Sequence, residues 1–255
     1  YQYQNAWVHA NVNAYYSRLD HVTEWQNFYN DDEYSITYLS MTGLEKEYYG
    51  IEAGLDFKVA SFLNFKAIGT ISDAKNINNA NVNYMLSKSA EVVKDYAYIK
   101  DMRESGTPLT IGSLALDFHK SGWFVNLNAN WYDRIYLSYS PSYRYKSSLK
   151  NRDMLFNDEP LPGSVDQAKG HGGWMVDGSI GKSIRLKHGS LNFNLMITNI
   201  LNNRKIVSGG YEQSRSDYTL NKENEAKDRV YKFSKNPKKY YVFGTNGMFQ
   251  VSYRF

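Results

Sequence analysis

Apolar and polar residues alternate strictly in several segments of this chain, and this alternation limits the possible folds more than any other feature. In residues 123–132 the odd positions are all apolar, while the even positions include Asn126, Asn128 and Asn130. Residues 249–255, with the sequence FQVSYRF, repeat the pattern. Because successive side chains of a β-strand point to opposite faces, a period of two predicts strands with one apolar and one polar face.

Eight segments carry this alternation, and the connections between them alternate in length. Strands are predicted at residues 7–18, 48–58, 63–71, 108–118, 123–132, 174–184, 191–198 and 249–255. Long polar stretches are predicted at 19–47, 73–106, 133–173 and 199–240, and short turns at 59–61, 119–122 and 187–190. In an antiparallel sheet this order places the short turns at one end and the long connections at the other.

One-sided loop lengths are typical of a transmembrane β-barrel, which has long extracellular loops and short periplasmic turns. Charged residues of the predicted strands, such as Glu52, Lys66 and Asp177, lie on the polar faces. An Arg or Lys on the lipid face at mid-membrane costs about 2–4 kcal/mol, so this segregation favours lipid contact. We therefore expect an all-β fold, an antiparallel transmembrane β-barrel segment of about eight strands. A soluble antiparallel β-sandwich is the alternative, because its strands also alternate.

The composition is compatible with a protein that crosses a membrane with strands. No apolar run approaches the roughly 20 residues of a spanning helix, and the mean hydropathy is −0.60. The chain has no cysteine, which excludes disulfides and thiolate metal sites. Its net charge of +4 is mild, and no nucleic-acid partner is expected.

The sequence contains no pattern that indicates catalysis, a cofactor or a metal. The five histidines are dispersed, and no Gly-x-Ser-x-Gly motif, phosphate-binding loop or zinc spacing occurs. The run Asp31-Asp32-Glu33 lacks the ligand order of a calcium loop, so a solvated loop tip is favoured over a Ca²⁺ site. We therefore expect a protein that is not an enzyme and has no cofactor.

Aromatic residues in the long stretches are the candidate ligand contacts. Trp25 and Tyr29 lie in the first stretch, and Tyr139 and Tyr143 in the third. Exposed rings stack on sugars and on apolar ligand surfaces, although packing between loops would use the same residues. The candidate lumen-facing residues share the polar strand faces and are Asn126, Asn128, Asn130, Asn192 and Asn194.

The last long stretch is basic. Residues 202–239 hold ten Lys or Arg against five Asp or Glu. Such a surface suits anionic lipopolysaccharide, an acidic ligand or a partner lipoprotein. Within it, residues 222–232 are predicted to form a short surface helix, with Glu223 and Lys227 one turn apart.

Several motifs resemble those of one transporter family. Residues 191–202, LNFNLMITNILN, resemble the penultimate-strand signature of TonB-dependent outer-membrane transporters. Residues 174–184, 208–212 and 251–255 are similar to the SusC-like branch of that family, which is found in Bacteroidota. The resemblance is strongest over residues 107–255 and extends over the whole chain.

The resemblance implies a location and a set of partners. Residues 1–255 would be a single domain, the C-terminal part of a 22-stranded barrel whose plug and earlier strands are not in this chain. It would lie in the outer membrane of a Gram-negative bacterium, among lipid and lipopolysaccharide. A SusD-like surface lipoprotein would cover it, TonB would act through the plug, and the asparagines would face the lumen or plug. The implied function is gated uptake of an oligosaccharide or peptide nutrient; the alternative is a scaffold barrel in a larger outer-membrane complex.

Overall fold

The computed structural model describes residues 1–30, 34–212 and 237–255, and their regular structure is almost entirely β. The strands are β1 Gln2–Gln4, β2 Val8–Asn30, β3 Ser35–Ala60, β4 Leu63–Asn76, β5 Ala80–Leu86, β6 Val92–Ala97, β7 Thr110–Lys120, β8 Trp123–Asp133, β9 Leu155–Phe156, β10 Glu159–Pro160, β11 Gly173–Leu186, β12 Gly189–Thr198, β13 Val207–Glu212, β14 Pro237–Tyr241 and β15 Asn246–Arg254. The helices in these ranges are a 3₁₀ helix at Pro141–Arg144 and α1 at Lys146–Lys150. None of them has the length and hydrophobicity to cross a membrane.

The main sheet is antiparallel and follows the order of the chain. Its path is β1-β2-β3-β4-β7-β8-β11-β12-β15. In addition, β5 pairs with the N-terminal half of β3, and β6 pairs with β5. The prediction of an all-β antiparallel fold is therefore confirmed. Each of the eight segments with alternating residues contributes to one strand of this path, since the alternation reflects two different environments on the two sheet faces.

The short turns join β3 to β4, β7 to β8 and β11 to β12. At the second turn, Ser121 has a φ of 51° and Gly122 a φ of 78°. Two successive residues with positive φ are characteristic of a two-residue hairpin whose twist matches the flanking strands. Because the strands run antiparallel, these turns share one end of the sheet and the long connections share the other.

The long connections contain more regular structure than their polar composition predicts. β2 continues to Asn30 and β3 begins at Ser35, so most of the predicted loop 19–47 belongs to two long paired strands. The stretch 73–106 contains the end of β4 and all of β5 and β6. The reason is packing: alternate residues there, such as Leu39, Met41 and Val82, bury their side chains.

We use the name cap for the long connections with the strand segments they contain, residues 19–30, 34–47, 77–109, 134–172 and 199–212. The cap holds most of the buried apolar side chains described in this chain. Its largest cluster is formed by Leu39, Met41, Leu44, Ala80, Val82, Ala97, Ile99, Met102 and Tyr145. The cap is therefore a packed layer at one end of the sheet.

The two outer strands of the main sheet each have one strand partner among the described residues. β1 pairs with β2 from Gln2 to Gln4, opposite His9 to Asn11, and Tyr1 adds two hydrogen bonds to the backbone of Val12. The free edge of β2 therefore begins beyond Val12. At the other side β15 pairs with β12, and no pairing joins β15 to β1 or β2. The described sheet is thus open along two edges.

Candidate functional site: the polar sheet face and the pocket in the cap

The apolar residues form a continuous band on one face of the sheet. The register places them in rows that run from strand to strand, for example Val8, Phe57, Phe65, Leu116 and Leu127. Many of these side chains are exposed: Ile51 is 58% exposed, Ile71 65% and Phe249 64%. A contiguous apolar surface of this extent is typical of a face that contacts another protein or a membrane.

Among the described residues, the charged side chains on this face lie at the margins of the band. Lys182 projects from the apolar face of β11 near the short turns. Its ammonium group donates to the Ser121 carbonyl at 2.8 Å and lies 4.8 Å from the centre of the Trp123 ring. A long side chain can thus cover apolar surface while its charge reaches the polar turn.

The opposite face carries a connected row of polar side chains on β4, β7 and β8. Asn128 donates to the Asn126 side-chain oxygen at 2.6 Å, and Asn126 donates in turn to Asp117. Lys66 lies 3.2 Å from the other oxygen of that carboxylate. These four side chains line a concave cavity of about 280 Å³. The surface therefore offers hydrogen-bond donors and acceptors, and its two charged groups, Lys66 and Asp117, are paired with each other.

The other predicted lumen residues share this polar face. The Ser113 hydroxyl donates to the Asn130 side-chain oxygen at 2.8 Å. Asn192 lies opposite a serine on each neighbouring strand, and the side-chain oxygen of Asn194 is buried without a hydrogen-bond partner in the described residues. All five asparagines are therefore on one face. Whether that face meets a lumen or a plug remains a prediction.

A second, smaller pocket lies in the cap, above the polar face of β2, β3 and β4. Its volume is about 90 Å³, and its lining includes Glu24, Lys46, Asn76, Glu104 and Tyr139. These residues come from β2, β3, β4 and two connections. The pocket exists only because the cap brings those segments together.

Lys46 is the central charge of this pocket. Its side chain is 7% exposed, and its ammonium group pairs with Glu24 and, at 2.7 Å, with Glu104. Burial alone would lower the pKa of Lys46, but the hydrogen bonds to Glu104 and Glu24 outweigh burial and raise it. The Tyr48 hydroxyl also donates to Glu104, at 3.3 Å. Lys46 is therefore held in its charged form.

Tyr139 closes one side of the pocket. Asn76 donates to its hydroxyl oxygen at 3.0 Å. Burial raises the pKa of Tyr139 to about 12, although the hydrogen bond from Asn76 acts in the opposite direction. The neutral hydroxyl can still donate its own proton, because the bond from Asn76 uses only an acceptor site.

The four predicted ligand-binding aromatics lie in three different environments. Trp25 and Tyr29 are 79% and 54% exposed, but they lie on strand β2 and not in a loop. Tyr139 has its hydroxyl in the cap pocket. Tyr143 is 4% exposed inside the 3₁₀ helix, with the Arg152 guanidinium 5.3 Å from its ring centre. The expectation that Tyr143 is exposed is therefore wrong, because the connection folds back into the cap.

Sequence reasoning missed Glu24, Lys46 and Glu104. The signal for Lys46 was present, since it continues the polar alternation of β3, but its acidic partners lie 22 and 58 residues away. The acidic run 31–33 and the predicted helix 222–232 lie outside the described residues. Within the described ranges, no cluster of three or more His, Cys, Asp or Glu residues could hold a metal ion.

The chain matches no protein-family model, and no curated protein matches it significantly.

Proposed function

We propose that this chain is an arc of an outer-membrane β-barrel, with its apolar band in contact with lipid. The observation that carries the proposal is the register, which aligns the apolar residues of eight strands in one uninterrupted, exposed band. A soluble sandwich would cover such a face with a second sheet. Here the cap packs at the end of the sheet and leaves the band exposed.

Strand length supports the same arrangement. β3 has 26 residues, which corresponds to about 90 Å at roughly 3.4 Å per residue. A tilted strand needs only about 9–11 residues to cross a membrane. The N-terminal half of β3 therefore extends well beyond the membrane into the cap. This fits a cap on the extracellular side and the short turns on the periplasmic side.

The free edges imply further strands. Backbone N–H and C=O groups that lack partners in hydrocarbon cost several kcal/mol each, by the rough scale for unpaired polar groups. β2 beyond Val12 and the outer edge of β15 would expose such groups in an open arc. We infer that other barrel strands, from the same polypeptide or another chain, pair with these edges.

The motifs favour a C-terminal part of a SusC-like TonB-dependent importer. In the stretch that resembles the family signature, Asn199 is 2% exposed and donates to the carbonyls of Asn203 at 3.0 Å and Phe243 at 2.8 Å. Asn199 therefore holds the chain where it leaves β12, and a structural role for this residue supports the proposal. On this proposal the assembly takes up an oligosaccharide or peptide nutrient, with a SusD-like lipoprotein over the cap and TonB acting through a plug.

One observation favours a scaffold barrel as the second candidate. The cap is closely packed, and the pocket in it is small, so the chain suits a rigid support as well as a ligand gate. Purification of the native complex distinguishes the two. A single surface lipoprotein as the companion supports import, whereas several secretion or insertion subunits support the scaffold.

The membrane assignment is tested by labelling single cysteines, because the chain contains none of its own. Leu127→Cys lies on the apolar face and Asn128→Cys, its neighbour, on the polar face. In isolated outer membranes, a bimane probe at position 127 should be quenched by lipids with a doxyl group in the acyl chain, and the probe at 128 should not. Equal quenching at both positions would refute the proposal.

A further inference from the structure

We propose that Lys120 and Lys182, at the short-turn end of the apolar band, bind the phosphate group of an anionic membrane phospholipid. This inference rests on the proposed function, because it requires the band to lie in lipid. The two lysines flank Trp123, which lies opposite Lys120 on β7 and opposite Lys182 on β11. We use the name rim site for these three residues, which form one row across three neighbouring strands.

Both ammonium groups of the rim site lie against aromatic rings near the turns. The ammonium group of Lys120 is 4.7 Å from the centre of the Phe62 ring, and that of Lys182 is 4.8 Å from the centre of the Trp123 ring. Long basic side chains of this kind cover apolar surface and carry their charge to the polar boundary. The rim site therefore holds two cations at the margin of the band, the level at which lipid headgroups would lie.

The charges of the rim site are not neutralised within the described part of the chain. Neither lysine forms an ion pair with a described residue. Asp56 and Asp117, near the same end of the sheet, lie on the polar face, where Asp117 is paired with Lys66 at 3.2 Å. Lys182 uses one of its three protons for the Ser121 carbonyl, so further donors remain. Two such cations attract an anion from outside the described chain.

Cations at the cap end of the sheet have acidic partners instead. Arg18 lies 2.6 Å from Glu45, and Lys75 lies 3.3 Å from Glu47. The protein thus supplies counter-charges at one end of the sheet, whereas the rim site has none among the described residues. This difference favours an external anion at the rim site.

The position of the rim site favours a phospholipid over a soluble anion. Phe118, Val125 and Ile180 form the next row of the apolar face, two residues further from the turns on each strand. A phospholipid can place its phosphate on the lysines and its acyl chains along this row, whereas free phosphate can use only the charges. Trp123 is 48% exposed, and tryptophan is enriched at the boundary between lipid and water. Basic side chains at that boundary bind anionic lipid headgroups.

The test uses the native complex in lipid nanodiscs, with a bimane probe on Ser121→Cys, an exposed turn position next to both lysines. The discs contain phosphatidylcholine and a small fraction of phosphatidylglycerol, and one of the two lipids carries a doxyl group close to its headgroup. We expect labelled phosphatidylglycerol to quench the probe more strongly than labelled phosphatidylcholine at equal mole fraction. Unlabelled phosphatidylglycerol should reverse this quenching, and inorganic phosphate should not.

Substitutions then vary the charge of the rim site. Each lysine near an anionic lipid surface contributes a factor of about 5 to binding, so Lys120→Gln and Lys182→Gln should each lower the relative affinity for phosphatidylglycerol by about that factor. The double glutamine variant should lose the preference, and the double variant Lys120→Arg, Lys182→Arg should retain it. Lys58→Gln is the matched control, because Lys58 is exposed at the same end of the sheet but on the polar face. It should behave as the parent does.

Three results would each overturn the inference: equal quenching by the two labelled lipids, displacement by inorganic phosphate, or an equal loss of preference in Lys58→Gln. Acyl-chain quenching at position 127 is measured in discs of the same composition. If position 127 is quenched while position 121 shows no preference for the anionic lipid, only this inference fails. If position 127 is not quenched, the membrane assignment fails as well.

Discussion

Arg144 and Glu212 form a two-pronged ion pair in the interior of the cap, 68 residues apart in the chain. The two N–O distances are 2.6 and 2.8 Å, and both side chains are 0% exposed. Backbone groups satisfy the remaining hydrogen-bonding capacity: Arg144 donates to the carbonyls of Ser140, Val165 and Asp166, and Glu212 accepts from the amides of Ser140 and Ala168. The pair therefore joins the connection 134–172 to β13.

We predict that removal of one member of this pair destabilises the cap strongly. Arg144→Met leaves the Glu212 carboxylate buried without its cation, and such a change typically costs about 3–5 kcal/mol. The double variant Arg144→Met, Glu212→Leu removes both charges and should recover much of that loss. Urea titration of the folded protein, with protease cleavage of the cap as the readout, measures the free energy of unfolding.

An exposed ion pair provides the control for this prediction. Arg18 lies 2.6 Å from Glu45, with side chains 48% and 35% exposed. Solvent screens an exposed ion pair, so it contributes little to stability, and Arg18→Met should shift the urea midpoint only slightly. If Arg144→Met shifts the midpoint no more than Arg18→Met does, the Arg144–Glu212 pair does not hold the cap together.

The apolar band should tolerate a charged side chain poorly. Leu127 lies at the middle of the β8 segment that faces the band, between Trp123 and Trp131. Leu127→Arg should destabilise the lipid-embedded protein by about 2–4 kcal/mol, the cost of a cation near the membrane midplane. Asn128→Arg, on the polar face opposite Asp177, should cost much less. Folding titrations into lipid vesicles compare the two variants, and equal losses would contradict lipid contact.

Much of the sheet could be predicted from the sequence, because period-two alternation records the two environments of a sheet face directly. The segment 123–132 shows this, with its asparagines on one face and its tryptophans on the other. β5 shows the limit: Ala80 and Val82 alternate with asparagines, yet the Asn- and Lys-rich composition of the surrounding stretch indicated a loop. Their burial depends on β3 and β6, which pair with β5 in the cap.

The candidate site was less predictable than the sheet. The shared face of the five asparagines was predictable because orientation on a strand follows from local alternation alone. The cap pocket requires Lys46 to meet Glu104, 58 residues further along the chain, and no local pattern specifies that contact. The same holds for Tyr143, whose burial results from the fold of the connection and not from its own neighbours in sequence.

Where an aromatic ring covers a glycine on the polar face, replacement of that glycine is predicted to lower the stability of the protein. Gly181 lies opposite Phe124, and an added Cβ atom would collide with that ring and with the carbonyl oxygen of Phe193. The ring can move, but the backbone carbonyl cannot without disturbing the pairing of β11 with β12. Gly181→Ala should therefore cost about 1–3 kcal/mol, the usual penalty for overpacking.

Gly69 on β4 is the matched control, because an added Cβ atom there meets nothing within 4 Å. Gly69→Ala should be neutral or stabilise the protein by about 0.4–1 kcal/mol, since alanine restricts the unfolded chain. Urea midpoints of both variants in the same lipid vesicles provide the comparison. A smaller loss for Gly181→Ala than for Gly69→Ala would show that Phe124 and the backbone adapt.

The cap should lose stability in alkaline solution because of its buried tyrosines. Burial raises the pKa of Tyr139 from 10.0 to about 12, despite the hydrogen bond from Asn76. Burial also raises the pKa of Tyr145, which stacks on Tyr84 with ring centres 5.2 Å apart. The folded cap retains protons that the unfolded chain releases. Its stability from these groups is therefore complete below about pH 10 and declines as the pH rises through the higher, folded-state pKa values.

Tyrosinate absorbance during an alkaline titration measures this effect. In the parent protein we expect a late component near pH 12 for Tyr139, accompanied by increased protease cleavage of the cap. Tyr139→Phe should remove that component, because phenylalanine keeps the ring but has no proton to lose. If the variant titrates like the parent near this pH, the Tyr139 hydroxyl is not buried against Asn76, and the cap pocket does not have the form described above.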